Sequence, residues 1–302
     1  MTAQPTTAPG AVQVAVGEHE GLLRMAVRRF VRHRLAMLGS IVLTVIILIA
    51  VFLPLIIPLD PIKPDYNNLG MPPNAVHILG GDLSGRDVFA RVVYGTRISL
   101  IAGLGAVVVF VTIGTAVGLI AGAFGGIADQ LLMRFTDIIL SIPPLLLIIV
   151  FISIVGTGLT SVIVVIGLVF WPQTARLVRG QLLSLREAEF VTASRVIGVR
   201  EREIVVRHMI PNIFGPLTVV ATFGVASAIL LEAALSFLGL GVTPPTPSLG
   251  GMISAATSPS VLQTQPWVWL PAGIVIALIV MSVNFVGDGL RDALDPRASG
   301  RG

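Results

Sequence analysis

Cysteine is absent from this 302-residue sequence, which excludes disulfides, thiolate nucleophiles, cysteine-ligated zinc and iron–sulfur clusters. Lysine occurs only at Lys63, and no glycine-rich loop precedes it. Phosphate-loop nucleotide hydrolases need such a loop ending in lysine to reach the β- and γ-phosphates, so this chain does not hydrolyse ATP in that way. His19, His33, His77 and His208 stand far apart with no i, i+4 partner, which speaks against a histidine metal site. No Gly-x-Ser-x-Gly context supports a serine nucleophile. Charge is scarce as well: 12% of residues are charged and 54% are apolar, against about 25% charged in soluble domains. The solvent of this chain is lipid.

Charge-free runs locate the spans. Residues 35–59 are the first, about 37 Å long as a helix and sufficient for a bilayer core of about 30 Å. Residues 98–128 hold a second. The run 138–175 is too long for one helix, and Gly156-Thr157-Gly158 divides it into a third and a fourth. A fifth starts at His208 and runs on toward Gly241. The sixth covers 269–287, preceded by Trp267 and Trp269 at interfacial depth. The expected fold is an all-α, polytopic membrane protein with six transmembrane helices. Residues 1–20, rich in Thr, Ala, Pro and Gly, predict a disordered tail. In residues 21–34, Leu22, Leu23, Ala26, Val27, Phe30 and Val31 oppose Arg24, Arg28, Arg29 and Arg32. That pattern predicts an amphipathic elbow helix on anionic membrane lipid. A plain basic flank of the first span is the alternative.

Orientation follows from the basic residues. Sixteen of the 20 lie in 24–34, at Arg134, in 176–207 and in 291–302; the other four are Lys63, Arg86, Arg91 and Arg97. Those four are balanced by Asp60, Asp65, Asp82 and Asp87. Cytoplasmic segments carry the arginine excess, so both termini and the tail 291–302 are expected inside, with 60–97 and 242–267 outside. The basic surplus is thereby explained without nucleic acid.

Three features go beyond span geometry. Gly114, Gly118, Gly122 and Gly126 recur every fourth residue, a smooth face for close helix packing. Asp137 and Glu232 lie in spans, where each costs about 2.5–3.5 kcal/mol, so they are expected to face a bundle interior or water. Arg134, one turn before Asp137, offers a pairing alternative; Glu232 has no local partner and either lines a pathway or bridges helices. An aspartyl protease reading of Asp137 with Asp288 is weak, since Asp288 is placed at a helix end as a solvated cap. Pro143-Pro144 must break or kink the third span.

The third feature is a long polar insertion, 181–211, between the fourth and fifth spans. Phe190, Ser194 and Ile197 share one helical face, and Gly198 is placed to end that helix in the left-handed conformation. A second helix then runs to Pro211, where the next span begins. Two amphipathic turns exceed what a connector needs, and they predict a docking surface for a soluble partner.

This segment resembles the "EAA" loop of bacterial ABC-importer permeases, whose pattern is Glu-Ala-Ala, three residues, Gly, nine residues, Ile-x-Leu-Pro. Ala193, Gly198 and Pro211 agree with it; Thr192, Ser194, His208 and Ile210 depart from it. Glu189 stands three residues before Thr192, which replaces the pattern's acid. Leu79-Gly-Gly-Asp-Leu-Ser-Gly-Arg-Asp-Val88, Tyr94-Gly-Thr-Arg-Ile-Ser-Leu100, Glu232-Ala-Ala-Leu-Ser-Phe-Leu-Gly-Leu-Gly241, Pro244-Pro-Thr-Pro-Ser248 and Gly287-Asp-Gly-Leu-Arg-Asp-Ala-Leu-Asp-Pro296 resemble dipeptide/oligopeptide permeases of the C type. Nickel and glutathione permeases share these stretches.

The resemblance implies a type I ABC importer permease fold in the bacterial inner membrane, with a transmembrane core at 98–290. It implies a second homologous permease, two ATPase subunits that hold ATP and Mg, and an extracytoplasmic solute-binding protein. No cofactor or metal is expected on this chain itself. It implies ATPase coupling by a helix near 188–199, with Glu189, Phe190, Thr192, Ala193, Ser194, Arg195, Gly198 and Pro211 as the coupling residues. Asp137 and Glu232 are candidate pathway residues, and Pro244, Pro245 and Pro247 are candidate contacts for the binding protein at an outer gate. A secondary transporter independent of an ATPase is the alternative of another class, but it lacks internal repeats and intramembrane carboxylates beyond Asp137 and Glu232.

Overall fold

Capping side chains decide where the first helices begin. In the computed structural model, which describes residues 22–294, α1 (Leu22–Arg32) ends before His33. The His33 Nδ1 accepts from the Ala36 N–H at 3.1 Å and starts α2 (Arg34–Ile56). Asp87 does the same for α3 (Val88–Phe124), accepting from the Ala90 N–H at 2.8 Å. Such caps are worth about 1 kcal/mol each. The expected tail 1–20 lies outside the described residues, as does 295–302.

The helix α3 corrects the expected boundary at residue 98. It begins ten residues earlier, and its 37 residues make it about 56 Å long. Arg91 and Arg97 therefore sit on its first turns rather than in a loop. Arg91 is tolerated there because it is buried against Asp82 at 3.5 Å and donates to the Pro61 carbonyl at 3.1 Å.

After α3, Gly125 and Gly126 turn the chain into α4 (Gly126–Leu140), and α5 (Pro144–Val155) follows at 89°. Pro143-Pro144 breaks the run, as its missing donors require. The 12 residues of α5 reach about 18 Å, too short for a bilayer core on their own. Five helices are long and apolar enough to cross a membrane, and this bent pair, counted as one broken span, makes six. The helix α6 (Leu159–Arg186) packs along α3, and the seam explains three of the four spaced glycines. A Cβ on Gly114 would stand 2.5 Å from Thr174 Cβ, on Gly118 2.6 Å from the Ala175 carbonyl, and on Gly122 2.8 Å from Leu182. Gly126 is not on that face; it has φ +59° and no neighbour within 4 Å, because α3 has already ended.

Beyond α6 come α7 (Glu189–Val196), the short α8 (Glu201–Ile204), a π-turn at Val205–Met209 and α9 (Ile210–Phe237). The second helix runs into the next span at Pro211 with no break between them. The proline ring cannot accommodate the ordinary i→i−4 ladder, and the widened turn before it, where the Ile210 N–H reaches the Val205 carbonyl, keeps the helix continuous. The 242–267 stretch holds short pieces, α10 (Leu249–Ile253) and α11 (Pro259–Thr264), before α12 (Leu270–Leu294). Since α12 extends past the expected end at 287, Asp288 is an exposed mid-helix residue rather than a terminal cap.

The chain's polar segments separate to two ends of the bundle. One end gathers α1, the end of α12, α4, the end of α6 and α7–α8. There His33 lies 3.6 Å from Asp292, Arg179 grips Asp129 at 2.5 and 2.7 Å, and Arg186 donates to the Ala123 carbonyl. The other end gathers 57–87, 156–158 and 238–269, joined by the Gly158 N–H to the Gly241 carbonyl at 3.0 Å. These are the segments that the arginine distribution assigned to opposite sides.

Candidate coupling surface and polar sites

One buried side chain anchors α7. Val191 is fully buried among Val178, Leu182, Ile204, Met209 and Ile213, which belong to α6, α8, the π-turn and α9. The helix ends in a complete Schellman motif. The Gly198 N–H donates to the Arg195 carbonyl at 3.0 Å, and the Val199 N–H to the Ser194 carbonyl at 3.0 Å, with Gly198 at φ +84°. Arg195 then ties α7 to α8, its Nε 2.5 Å and its Nη2 3.3 Å from the two Glu201 carboxylate oxygens.

The rest of α7 faces away. Glu189, Phe190, Thr192 and Ala193 are exposed, while Ser194 is half-buried with its hydroxyl on the Phe190 carbonyl. Val196 is 82% and Ile197 79% exposed, so with the exposed Phe190 the helix and its end present three apolar side chains to solvent. Pro211 lies exposed at the start of α9.

Asp137 pairs with Arg176 of α6, 2.7 Å away, and not with Arg134. Both side chains are about half exposed. One turn along α6, the exposed Gln173 lines a cleft of about 220 Å³ between α3, α6 and α9, together with Phe110, Phe170, Phe223 and Ser227. Gln173 and Ser227 escape a hydropathic reading of the sequence because uncharged polar residues do not interrupt an apolar run.

Glu232 does not face such a cleft. It is fully buried and bridges helices: one carboxylate oxygen accepts from Ser99 Oγ of α3 at 2.7 Å, the other from Ser236 Oγ, one turn along α9, at 2.7 Å. The pathway alternative for Glu232 is corrected on this geometry. Among the proposed outer contacts, Pro244 and Pro245 are exposed, but Pro247, just before the Ser248 cap of α10, is buried. Ser248 caps α10, accepting from the Gly251 N–H at 3.1 Å.

At the same end His77 joins two carboxylates that each cap a helix. Its Nδ1 lies 2.6 Å from Asp87 and its Nε2 3.4 Å from Asp65. Asp87 caps α3, and Asp65 accepts from the Asn67 N–H at 2.9 Å. The hydrogen bond with Asp87 raises the His77 pKa most; burial, next in size, opposes it, and the bond with Asp65 adds a smaller rise. The Asn67 N–H and then His77 hold Asp65 below the usual carboxylate range.

Comparison with known proteins places this geometry. The family described as binding-protein-dependent transport system inner membrane component matches residues 114–300, and the N-terminal transmembrane domain of oligopeptide transport permease C matches 21–73. A putative peptide permease protein of Brucella ovis is 44% identical over 278 residues, covering 92% of each chain. A dipeptide transport system permease protein of Alkalihalophilus pseudofirmus is 41% identical over 298 residues, covering 98% of this chain and 96% of that one. In structure, the chain is similar to the inward-facing MetNI methionine ABC transporter, with a TM-score of 0.56 at 22% identity over 68% of this chain and 96% of the other. This chain is therefore a multi-pass member of the binding-protein-dependent transport system inner membrane components.

Proposed function

We propose that the chain is one of two homologous permease subunits of an ATP-driven importer for di- and oligopeptides. Two ATPase subunits holding ATP and Mg drive it, and an external binding protein delivers the solute. The observation that carries the reading is α7: a short helix with one buried anchor, a Schellman end and three exposed apolar side chains, Phe190, Val196 and Ile197. The named relatives supply the solute class. No residue of this chain is assigned a catalytic role.

The mechanism uses α7 as a lever. Val191 and the Arg195–Glu201 pair fasten it to both α6 and α9, so a push on α7 is delivered to two spans at once. Closure of the ATPase dimer on ATP supplies the push, because ATP favours the closed state over the open one. The spans then rock between inward and outward access. In this reading Asp137 and Arg176 face an aqueous wall of the pathway, since exposed charges near a span's end need water or a partner. Phe110, Phe170, Gln173 and Ser227 continue that wall toward the other end. A wall with few charges is permissive, which leaves recognition of peptide termini to the binding protein.

Purification of the tagged chain from its own membranes in mild detergent tests the assignment. Recovery of a second permease and two ATPases is expected, with peptide uptake that stops when ATP is withdrawn. Purification alone, with uptake that persists without ATP, would instead indicate a secondary transporter. Orientation is tested in the naturally cysteine-free chain: cysteine at Asn67 or Ser260 is expected to react with an impermeant maleimide on intact cells, and cysteine at Ser184 is not. The reverse pattern overturns the cytoplasmic placement of the termini.

A further inference from the structure

Glu232 is the centre of a larger network than its two serine bonds. Each serine hydroxyl has a single proton, and both protons are donated to the carboxylate at 2.7 Å. Their oxygens remain free to accept, and both accept from backbone. Ser236 Oγ takes the Val242 N–H at 3.2 Å, and Ser99 Oγ takes the Leu249 N–H at 3.4 Å. Val242 and Leu249 are the two ends of the segment that carries the exposed Pro244-Pro245. One buried carboxylate thus orients two hydroxyls, and each hydroxyl holds one end of the same loop.

The backbone packing has the same focus. A Cβ on Gly241 would overlap Ser236 Oγ, and one on Gly250 would overlap the backbone of Ala233. A Cβ on Gly95 would stand 3.2 Å from the Ser248 carbonyl carbon. The loop ends rest directly on α9 and α3 at the level of Glu232. Among the described residues, no other acceptor receives either serine proton. Without the carboxylate, each hydroxyl is free to rotate and donate to the carbonyl one turn back on its own helix, the common resting bond of helical serine.

We propose that Glu232 is a positioning residue: through Ser99 and Ser236 it clamps both ends of the 242–249 loop, so that Pro244-Pro245 is presented to the binding protein in a fixed geometry. This rests on the importer reading for its partner, but the clamp itself is testable without any partner. The functional consequence is communication. Because Ser99 belongs to α3 and Glu232 with Ser236 to α9, a relative shift of these two spans changes the loop that meets the binding protein, and docking there biases the spans in return.

Amide hydrogen exchange on the assembled complex reads the clamp directly. Glu232→Leu is expected to speed exchange at Val242 and Leu249 about tenfold or more, as two loop bonds lose their oriented acceptors. ATPase stimulation by the peptide-loaded binding protein is expected to fall by a similar factor, with basal ATPase activity retained. A triple variant, Ser99→Ala with Glu232→Leu and Ser236→Ala, separates positioning from the mere satisfaction of buried polar groups. It removes the carboxylate and both hydroxyls. Because the Val242 and Leu249 amides lose these acceptors as well, exchange there is fast on either account. A purely structural role of the buried polar cluster predicts recovery of stimulation, while the clamp predicts that poor stimulation persists. Recovery of stimulation in the triple variant overturns the proposal. Fast exchange with unchanged stimulation in Glu232→Leu keeps the clamp and overturns the docking role of the loop. Should Glu232→Leu fail to assemble, Glu232→Gln decides: its amide nitrogen cannot accept, so one loop end is expected to loosen, and wild-type exchange at both ends overturns the clamp.

Discussion

At the end that carries Gly241 and Ser248, loop backbone is tied by buried hydrogen bonds to side chains of two spans. At the end that carries Gly198, the exposed helix α7 is held by one buried valine and a surface ion pair. The first arrangement gains from low dielectric: Ser99 and Glu232 are buried, and water does not compete for their bonds. The second gains little from charge, since exposed pairs such as Arg195–Glu201 are worth about 0–1 kcal/mol. Its strength is apolar and concentrated at Val191. A lever grasped by a partner needs a stiff joint and a free surface, whereas a loop that meets a partner repeatedly needs a fixed shape.

Breaking the valine joint should have the largest effect. Val191→Asp buries a carboxyl group without a partner, at a cost of about 3 kcal/mol or more. The expected result is loss of ATPase co-purification and of uptake, with the spans still inserted. Val196→Asp, at a site 82% exposed, is expected to leave the α7 fold intact by circular dichroism and exchange, and to weaken only ATPase attachment. Equal damage to the fold from both substitutions would show that α7 is not held at a single point.

Next in size is the Schellman end. Gly198 stands at φ +84°, and no atom lies within 4 Å of where a Cβ would stand, so any penalty comes from backbone conformation alone. Alanine should therefore cost ~1–2 kcal/mol and β-branched valine more, while asparagine, which visits the left-handed region, should cost less. Solute-stimulated ATPase activity is expected to rank glycine, asparagine, alanine, then valine. An asparagine variant as impaired as valine would point instead to a steric contact made with the ATPase.

How much of this was legible depends on the range of each interaction. The break at Pro143-Pro144 and the cap at Gly198 follow from local backbone chemistry, and both were readable. The separation of basic segments to one end is equally a property of the chain's own pattern. Glu232 finds Ser99 across 133 residues and Asp137 finds Arg176 across 39, and no spacing rule reaches so far. The start of α3 was misplaced because Arg91 and Arg97 interrupt the apolar run, although Asp87 carried the capping signal. Burial of Pro247 depends on where α10 packs, which composition does not encode. Gly126 shared the period of Gly114 and Gly118 but lies past the helix end that Gly125 imposes.

A smaller effect is expected from pH at the loop end. Protonated His77 can donate to Asp87 and Asp65 together, while the neutral ring keeps only one donor. Its raised pKa means that this contribution is complete below its ordinary value of 6.5 and is lost as pH rises through the elevated one. Asp65 acts in the opposite sense: its lowered pKa makes its contribution complete above 3.8 and lost as pH falls through the depressed value. Asp60 and Lys63 line the same cleft and add charge around the pair. Protection of the Asn67 amide, corrected for intrinsic exchange, is expected to fall as pH rises past the His77 transition. His77→Gln should flatten that dependence while retaining the bond to Asp87. An unchanged pH profile in the variant would remove His77 from the account.

The smallest effect tests the shape of the exposed loop. Replacing Pro244 and Pro245 with Gly and Ser leaves the Val242 and Leu249 bonds intact, because neither proline takes part in them. Pro247 is kept, since it is buried and its loss would disturb α10 instead of the surface. The change therefore adds freedom between two fixed points, and the added entropy must be lost again on docking. Ordering a flexible segment costs about 0.5–1.5 kcal/mol per immobilised group, so uptake at limiting binding protein should fall several-fold. The loss should be recovered by raising the binding protein's concentration, and it should be nearly equal for every peptide tested. A change in peptide preference at full uptake would place solute selection on this loop, and the division of labour between a permissive wall and a selective binding protein would then be wrong.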